Sequence, residues 1–276
     1  MTGMERIAQA FATTASGGGA GGKRAALMPY LMGGFPDLAT ARAIGEAYAD
    51  GGADVIELGM PFSDPLADGP VIHAAGVEAL RAGATVAGVL ELGAALAPRV
   101  PVVLMAYANI VHARGFEAFA AALREHDVSG LIVPDLPLEE APGLREACDA
   151  EGIALVPLVA PTTPEERLAR IGVQARGFLY AVSVVGTTGE RGALDGGLAA
   201  FLRRAAEASE VPVAVGFGIA TPAQAAAAAD AGAAGVIVGS RLVRAAGEAE
   251  DPAAEVRELV AALAEALRAP SAEPVS

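Results

Sequence analysis

The sequence predicts one α/β domain, a (β/α)8 barrel, and three observations carry that prediction. Eight apolar, β-rich segments recur along the chain with helix-like stretches between them. The segments are near-continuous apolar runs, as expected of parallel strands covered on both faces. The chain has 276 residues, and eight such units typically take about 250. Eight parallel strands close on themselves as a TIM barrel. An open doubly wound sheet is the alternative, but no GxGxxG follows the first strand.

In chain order, MTGMERIAQAF is short, charged and amphipathic, and reads as an extra helix ahead of the barrel. SGGGAGG at 16–22 reads as a flexible linker. Strands are expected at 26–32, 54–58, 102–106, 130–133, 153–159, 177–182, 212–216 and 234–238. Apolar residues at i, i+3, i+4 spacing mark helices, for example at 37–49, 115–125, 164–171 and 221–231. Asp37, Thr163 and Thr221 are expected caps, the last two each just before a proline at the first helical position. Gly52, Gly152 and Gly232 end helices ahead of strands. The tail 270–276 is expected to be disordered. The organisation is one domain, 1–276.

Composition excludes several classes. Hydrophobic residues make up 53% and the mean hydropathy is +0.45. No run approaches the roughly 18 apolar residues of a membrane span, however. No secretory core opens the chain, so a cytoplasmic location is expected. Net charge is 19 − 33 = −14, which does not suit a nucleic-acid partner. A chain this acidic that binds phosphate must do so locally, with backbone N–H groups. The one cysteine, Cys148, leaves no intramolecular disulfide and reads as a buried helix thiol. His73, His112 and His126 are far apart and form no metal-ligand motif.

Spacing then points to function. Two intervals between strand starts exceed the rest, from 54 to 102 and from 177 to 212. Extended loops are therefore expected after strands 2 and 6, on the active face of such a barrel; neutral insertion is the other reading. Strand 2 runs into DVIELGMPFSDPLADGP. Alternation puts Val55 and Glu57 on one side, Ile56 and Leu58 on the other. A glutamate inside an apolar strand is costly unless paired or used. Burial would raise its pKa and let it exchange protons near neutrality. A structural glutamate bonded to backbone or arginine stays open. Asp64 and Asp68 follow in a loop stiffened by Pro61, Pro65 and Pro70. Either could be a turn residue bonding its own backbone, Asp64 above all. Two carboxylates in different environments could divide acid and base roles.

Glycines form the second constellation. Gly186, Gly189 and Gly192 follow strand 6, Gly216 and Gly218 follow strand 7, and Gly239 with Ser240 opens the helix after strand 8. Three such turns would gather N–H groups around an anion, where this fold commonly holds phosphate; tight turns alone are the plainer reading. The residues thus suggest a barrel enzyme with no metal, a carboxylate pair and a phosphomonoester substrate.

ELGMPFSDPLADGPVI closely resembles the signature of the tryptophan synthase alpha family. MPYLMGGFPD, LMAYANIV, LIVPDLPLEE, LVAPTTPEERL, SVVGTTG, VGFGIATP and GVIVGS resemble further family segments, in family order, over essentially the whole chain. The resemblance implies retro-aldol cleavage of indole-3-glycerol phosphate to indole and glyceraldehyde 3-phosphate, in tryptophan biosynthesis. It implies that Glu57 and Asp68 are the catalytic pair. Gly189, Phe217, Gly218, Gly239 and Ser240 match the phosphate site. Tyr30, Ile72, Met105, Tyr107 and Tyr180 match pocket or supporting positions, and Thr188 a loop threonine that orders the aspartate. Asp135 falls where the family supports its loops and its interface. Tyr30 stands where a family aromatic can be Phe, and Arg191 has no assigned role.

The resemblance further implies no cofactor in this chain, a pyridoxal-phosphate beta subunit that receives the indole, and an alpha2-beta2 complex. A free-standing indole-glycerol-phosphate lyase of the same family is the first alternative. Another phosphate-binding barrel, an isomerase or aldolase, is the second. An aldolase would want a Schiff-base lysine at a strand end, and the only lysine, Lys23, precedes strand 1. A non-catalytic scaffold barrel would be expected to have lost Glu57 or Asp68.

Overall fold

The computed structural model describes residues 1–15, 24–182, 196–216 and 218–268. The linker, the loop carrying Thr188 and Gly189, Phe217 and the tail lie outside those residues. A first helix, α1 (Gly3–Ala15), precedes β1 (Ala26–Met32), α2 (Leu38–Asp50) and β2 (Ile56–Gly59). Next come α3 (Pro70–Arg81), α4 (Val86–Leu96), β3 (Val102–Met105), α5 (Ala108–Arg114), α6 (Phe116–Glu125) and β4 (Gly130–Ile132). Then follow α7 (Pro142–Glu151), β5 (Ala154–Val156), β6 (Leu158–Val159), α8 (Glu165–Gln174) and β7 (Leu179–Val182). The chain continues through α9 (Gly196–Glu207), β8 (Val213–Gly216), α10 (Pro222–Asp230), β9 (Gly235–Val238), α11 (Ser240–Glu248) and α12 (Pro252–Ala266).

Every strand pair is parallel, and the sheet order is β5-β4-β3-β2-β1-β9-β8-β7-β6. The two ends of that order, β5 and β6, are consecutive in the chain. The sequence predicts one strand at 153–159; Pro157 divides it, because proline has no N–H for a ladder. The Pro157 carbonyl still accepts from Tyr180 N at 3.0 Å. Counted as one, this segment completes eight strands around a TIM barrel, and the seam lies at the proline.

The helix signals hold in part. Asp37 caps α2, accepting from Thr40 N at 2.9 Å. Thr221 and Gln224 form a reciprocal capping box on α10. Thr163 is not a helix cap. Pro164 takes that position with an extended backbone, and Thr163 Oγ1 instead accepts from Ala160 N at 3.0 Å to close the preceding turn. The length after strand 2 is also not all loop. It holds α3 and α4, leaving a loop at 60–69. Pro70 starts α3 and Thr85 caps α4, accepting from Gly88 N at 3.1 Å. No single described helix is long and apolar enough to cross a membrane.

Two apolar cores follow from strand alternation. One lies between sheet and helices and includes Ile56, Leu58, Val102 and Leu104. The other fills the barrel and includes Met28, Val55, Val103, Ile132, Phe178 and Ile237. The first helix belongs to the second core. Ile7 and Phe11 of α1 are buried there, and Phe11 meets Phe178 with ring centroids 5.8 Å apart. Small residues make room for it. A Cβ on Gly235 would come 2.9 Å from Phe11 Cε1, and one on Gly130 3.1 Å from Ile7 Cδ1. Met4 N donates to the Gly152 carbonyl at 3.1 Å, tying the helix to the turn after α7. The helix closes the barrel at the end where the strands begin, which leaves the other end for chemistry.

If Phe11 is the plug, Phe11→Ala should cost roughly 3–5 kcal/mol. Urea unfolding followed by circular dichroism measures it. A loss below about 1 kcal/mol would mean that α1 rests on the barrel without closing it.

Candidate active site

Glu57 ends up inside the barrel because β2 alternates. Val55 and Glu57 point inward, while Ile56 and Leu58 join the outer core. The side chain is 1% exposed, and neither carboxylate oxygen has a hydrogen-bond partner among the described residues. The arginine or backbone contact that a structural glutamate would need is therefore missing among those residues. Burial first, and the nearby Asp68 second, push its pKa up to about 8. At neutral pH the group is mostly the uncharged acid.

Two tyrosines share its level. Tyr30 of β1 pairs in register with Glu57, and Tyr180 comes from β7 across the barrel. Burial raises both phenols well above their ordinary range; Asp68 and then Glu57 add to this for Tyr30, and Glu57 for Tyr180. Both stay neutral hydroxyls. Glycines at strand ends make their positions possible. A Cβ on Gly59 would lie 1.9 Å from the Tyr30 hydroxyl, and one on Gly216 would lie 2.4 Å from that of Tyr180. Tyr48 of α2 donates to the Tyr30 carbonyl at 3.1 Å and steadies this strand from outside.

Asp68 stands on the 60–69 loop. Tyr107 steadies it: the phenol accepts from Ala67 N at 3.0 Å, which holds the loop backbone just ahead of Asp68. Burial raises the Asp68 pKa, while Tyr107 and then His73 pull it down. Phe62 stacks on Tyr107 with centroids 5.3 Å apart. Asp135 holds the base of this arrangement by accepting from Ala108 N at 2.8 Å, at the start of α5. Asp64 is exposed and takes a local bond from Ser63, as a turn residue would.

The opposite wall is backbone. Gly218 has φ +80, the left-handed region that favours glycine. Gly239 and Ser240 open α11, whose first N–H groups have no carbonyl inside the helix to reach. Tyr30, Glu57, Asp68, Ile72, Met105, Tyr180, Gly218, Gly239 and Ser240 line one cavity of about 200 Å³. Tyr107 stands behind Asp68. Phe217, Thr188 and Gly189 lie outside the described residues. Sequence reasoning missed Pro134, Leu158, Ile219 and Arg241 on the same wall.

Among the described residues, hollows of about 340 and 390 Å³ are larger. The first is apolar, and its Arg167 is held in a two-point ion pair with Glu139 at 2.8 and 2.9 Å. The second is an open groove between α3 and α11. Neither contains a buried acid, so chemistry and not size selects the smaller cavity. Cys148 is buried and its thiol is pushed up to about 12 by burial and then by Asp149, which makes it a poor nucleophile. His112 packs on Phe116, and His126 Nδ1 lies 2.7 Å from the Ala122 carbonyl.

The family model described as "Tryptophan synthase alpha chain" matches residues 20–271. The tryptophan synthase alpha chain of Prochlorococcus marinus (strain MIT 9313) is 49% identical over 223 residues, 80% of this chain and 81% of that protein. That of Methanosarcina mazei is 47% identical over 222 residues, again 80% and 81%. A structure of Mycobacterium tuberculosis tryptophan synthase aligns with a TM-score of 0.87 at 37% identity, covering 96% of this chain and 99% of the other. A chain of a Pyrococcus furiosus tryptophan synthase complex aligns at 0.80 and 36%, covering 87% and 98%.

The buried acid sets a pH dependence of stability. Below pH 4.5, the ordinary value, folded and unfolded chains both hold the proton; between 4.5 and about 8 only the folded chain does. Stability should therefore fall as pH rises through that window and level off above it. Glu57→Gln removes the ionisation. It should match the wild type near pH 4.5 and exceed it by a few kcal/mol at pH 9. Denaturant unfolding at both pH values tests this, and a pH-independent difference would contradict it.

Proposed function

The chain belongs to the tryptophan synthase alpha chain family, and from that premise we propose how its cavity carries out the alpha reaction, the cleavage of indole-3-glycerol phosphate. It is a carbon–carbon lyase with a TIM-barrel fold. The observation that carries the proposal is Glu57, an uncharged carboxyl without a partner among the described residues, on the wall of a cavity that also holds Asp68.

The substrate lies with its indole between Tyr30, Ile72, Met105 and Tyr180, and its phosphate at Gly218, Gly239 and Ser240. Glu57 gives its proton to indole C3. Positive charge develops on the indole nitrogen, and the Asp68 carboxylate accepts the hydrogen bond of that N–H and stabilises the charge. Glu57, now a carboxylate, takes the proton of the adjacent glycerol hydroxyl. The C–C bond breaks, its electrons return to the ring, and the hydroxyl-bearing carbon becomes an aldehyde. Indole and glyceraldehyde 3-phosphate leave, and Glu57 is protonated again. No electron is gained or lost, so the chain needs no redox cofactor for this reaction. Tyr107 keeps Asp68 aimed, and Gly189, Phe217 and Thr188 complete the phosphate site and its loop.

A beta subunit carrying pyridoxal phosphate takes the indole, in an alpha2-beta2 assembly in the cytoplasm. The solved Pyrococcus furiosus structure is likewise of a complex.

Indole release from indole-3-glycerol phosphate, with and without the beta chain, tests the proposal. Release is expected to be slow alone and faster with the partner. Fast release that ignores the partner would indicate a free-standing lyase, and none under either condition would refute the substrate. Glu57→Gln should lower kcat by about 10²–10⁴-fold, and Asp68→Asn by about 10²–10³-fold. Because Glu57 acts first as an acid, kcat/KM should decline as pH rises through about 8. A rate rising through that pH would reverse its role.

A further inference from the structure

Arg241 is the one cation among the described residues that line the cavity. It is half-buried in the first turn of α11, next to Ser240. Among the described residues its guanidinium has no hydrogen bond or ion pair; the ion pairs of the other arginines lie elsewhere. Local physics disfavours this placement. The start of a helix carries partial positive charge and repels a cation, and no acidic residue stands in that turn to offset it. A partly desolvated charge also needs a counter-charge.

The carboxyl groups of the wall, Glu57 and Asp68, stand on β2 and its loop, while Arg241 comes from the helix after β9. One side of the cavity is thus acidic and the other cationic. A guanidinium beside unbonded helix N–H groups suits a tetrahedral oxyanion, because its planar fork can bond two oxygens at once. The chain carries a net charge of −14, so a phosphate dianion approaches against the overall field, and a local cation offsets that repulsion.

We propose that Arg241 binds the phosphate of the substrate, adding an ion pair to the backbone contacts of Gly218, Gly239 and Ser240, and so sets the preference for phosphorylated over unphosphorylated glycerol side chains. This rests on the reading of the cavity as the indole-3-glycerol phosphate site. The ion pair forms in both the ground state and the transition state, so it governs binding and not the chemical step.

The test compares wild type, Arg241→Ala and Arg241→Lys by steady-state indole release, with inorganic phosphate as a competitive inhibitor. Arg241→Ala should raise KM and the phosphate inhibition constant about tenfold while kcat stays within about twofold. Arg241→Lys should recover part of the loss, because it keeps the charge without the fork. The wild-type KM should rise more steeply with ionic strength than that of Arg241→Ala. Unchanged KM and phosphate inhibition in a folded Arg241→Ala would overturn the inference while leaving the function intact. So would a fall in kcat alone, or an Arg241→Lys no better than the alanine. A wild-type chain that releases no indole would instead refute the underlying reading, and this inference with it.

Discussion

The barrel is organised around a carboxyl group, that of Glu57, which has no ionic partner among the described residues. Among the described residues, Glu57 and Ser129 are the buried polar side chains of the core. A parallel barrel satisfies its backbone within its own ladders, so nothing in the walls is left over to solvate a carboxylate. The proton is what makes the group tolerable there. Tyr30 and Tyr180 extend this logic, since burial keeps them as hydroxyls and adds no cation that would pull the acid down. Gly59 and Gly216 belong to the same constraint, because without their bareness the two phenols could not lie across the mouth. The stability given up at high pH and the capacity of Glu57 to hold a proton at neutrality have a single cause.

Much of the fold was legible because its strands are buried on both faces, which writes them as apolar runs. The exceptions have physical reasons. Pro157 is invisible as a break when neighbouring residues are all apolar, yet it removes a ladder donor and splits the strand. The length after strand 2 pointed to an extended loop and did not announce α3, which begins at a proline in a Pro- and Gly-rich stretch and lacks a side-chain cap at its start. Thr163 looked like a cap, but its hydroxyl bonds backward to Ala160 N instead of forward into the helix.

The site divides in the same way. Glu57 stood out as a charge in an apolar strand. Asp68 was visible as a candidate beside Asp64, the stronger turn residue of the two, because both sit among prolines; what pattern could not give is the hold of Tyr107, distant in sequence, on the backbone just ahead of Asp68. The tyrosines came from resemblance, since an aromatic in a buried strand ordinarily reads as packing. Pro134, Leu158 and Arg241 could not be seen at all. An arginine beside a helix start normally faces water, and no local pattern tells that this one lines a cavity with residues of β1, β2 and β7.

The plug at the far end of the barrel also dictates an order of events. Helix α1 precedes the barrel strands in the chain, but its seat is made from Ala26 and Met28 of β1, Gly130 of β4, Gly235 of β9, and Gly177 and Phe178 ahead of β7. A 13-residue helix is marginal by itself in water. The segment must therefore wait, unseated, until strands from both halves of the chain have met. Contacts of such long sequence separation form late because the intervening loop must close first. A helix that lies ahead of the first strand thus serves as the final latch, and its docking marks the moment at which the barrel is complete.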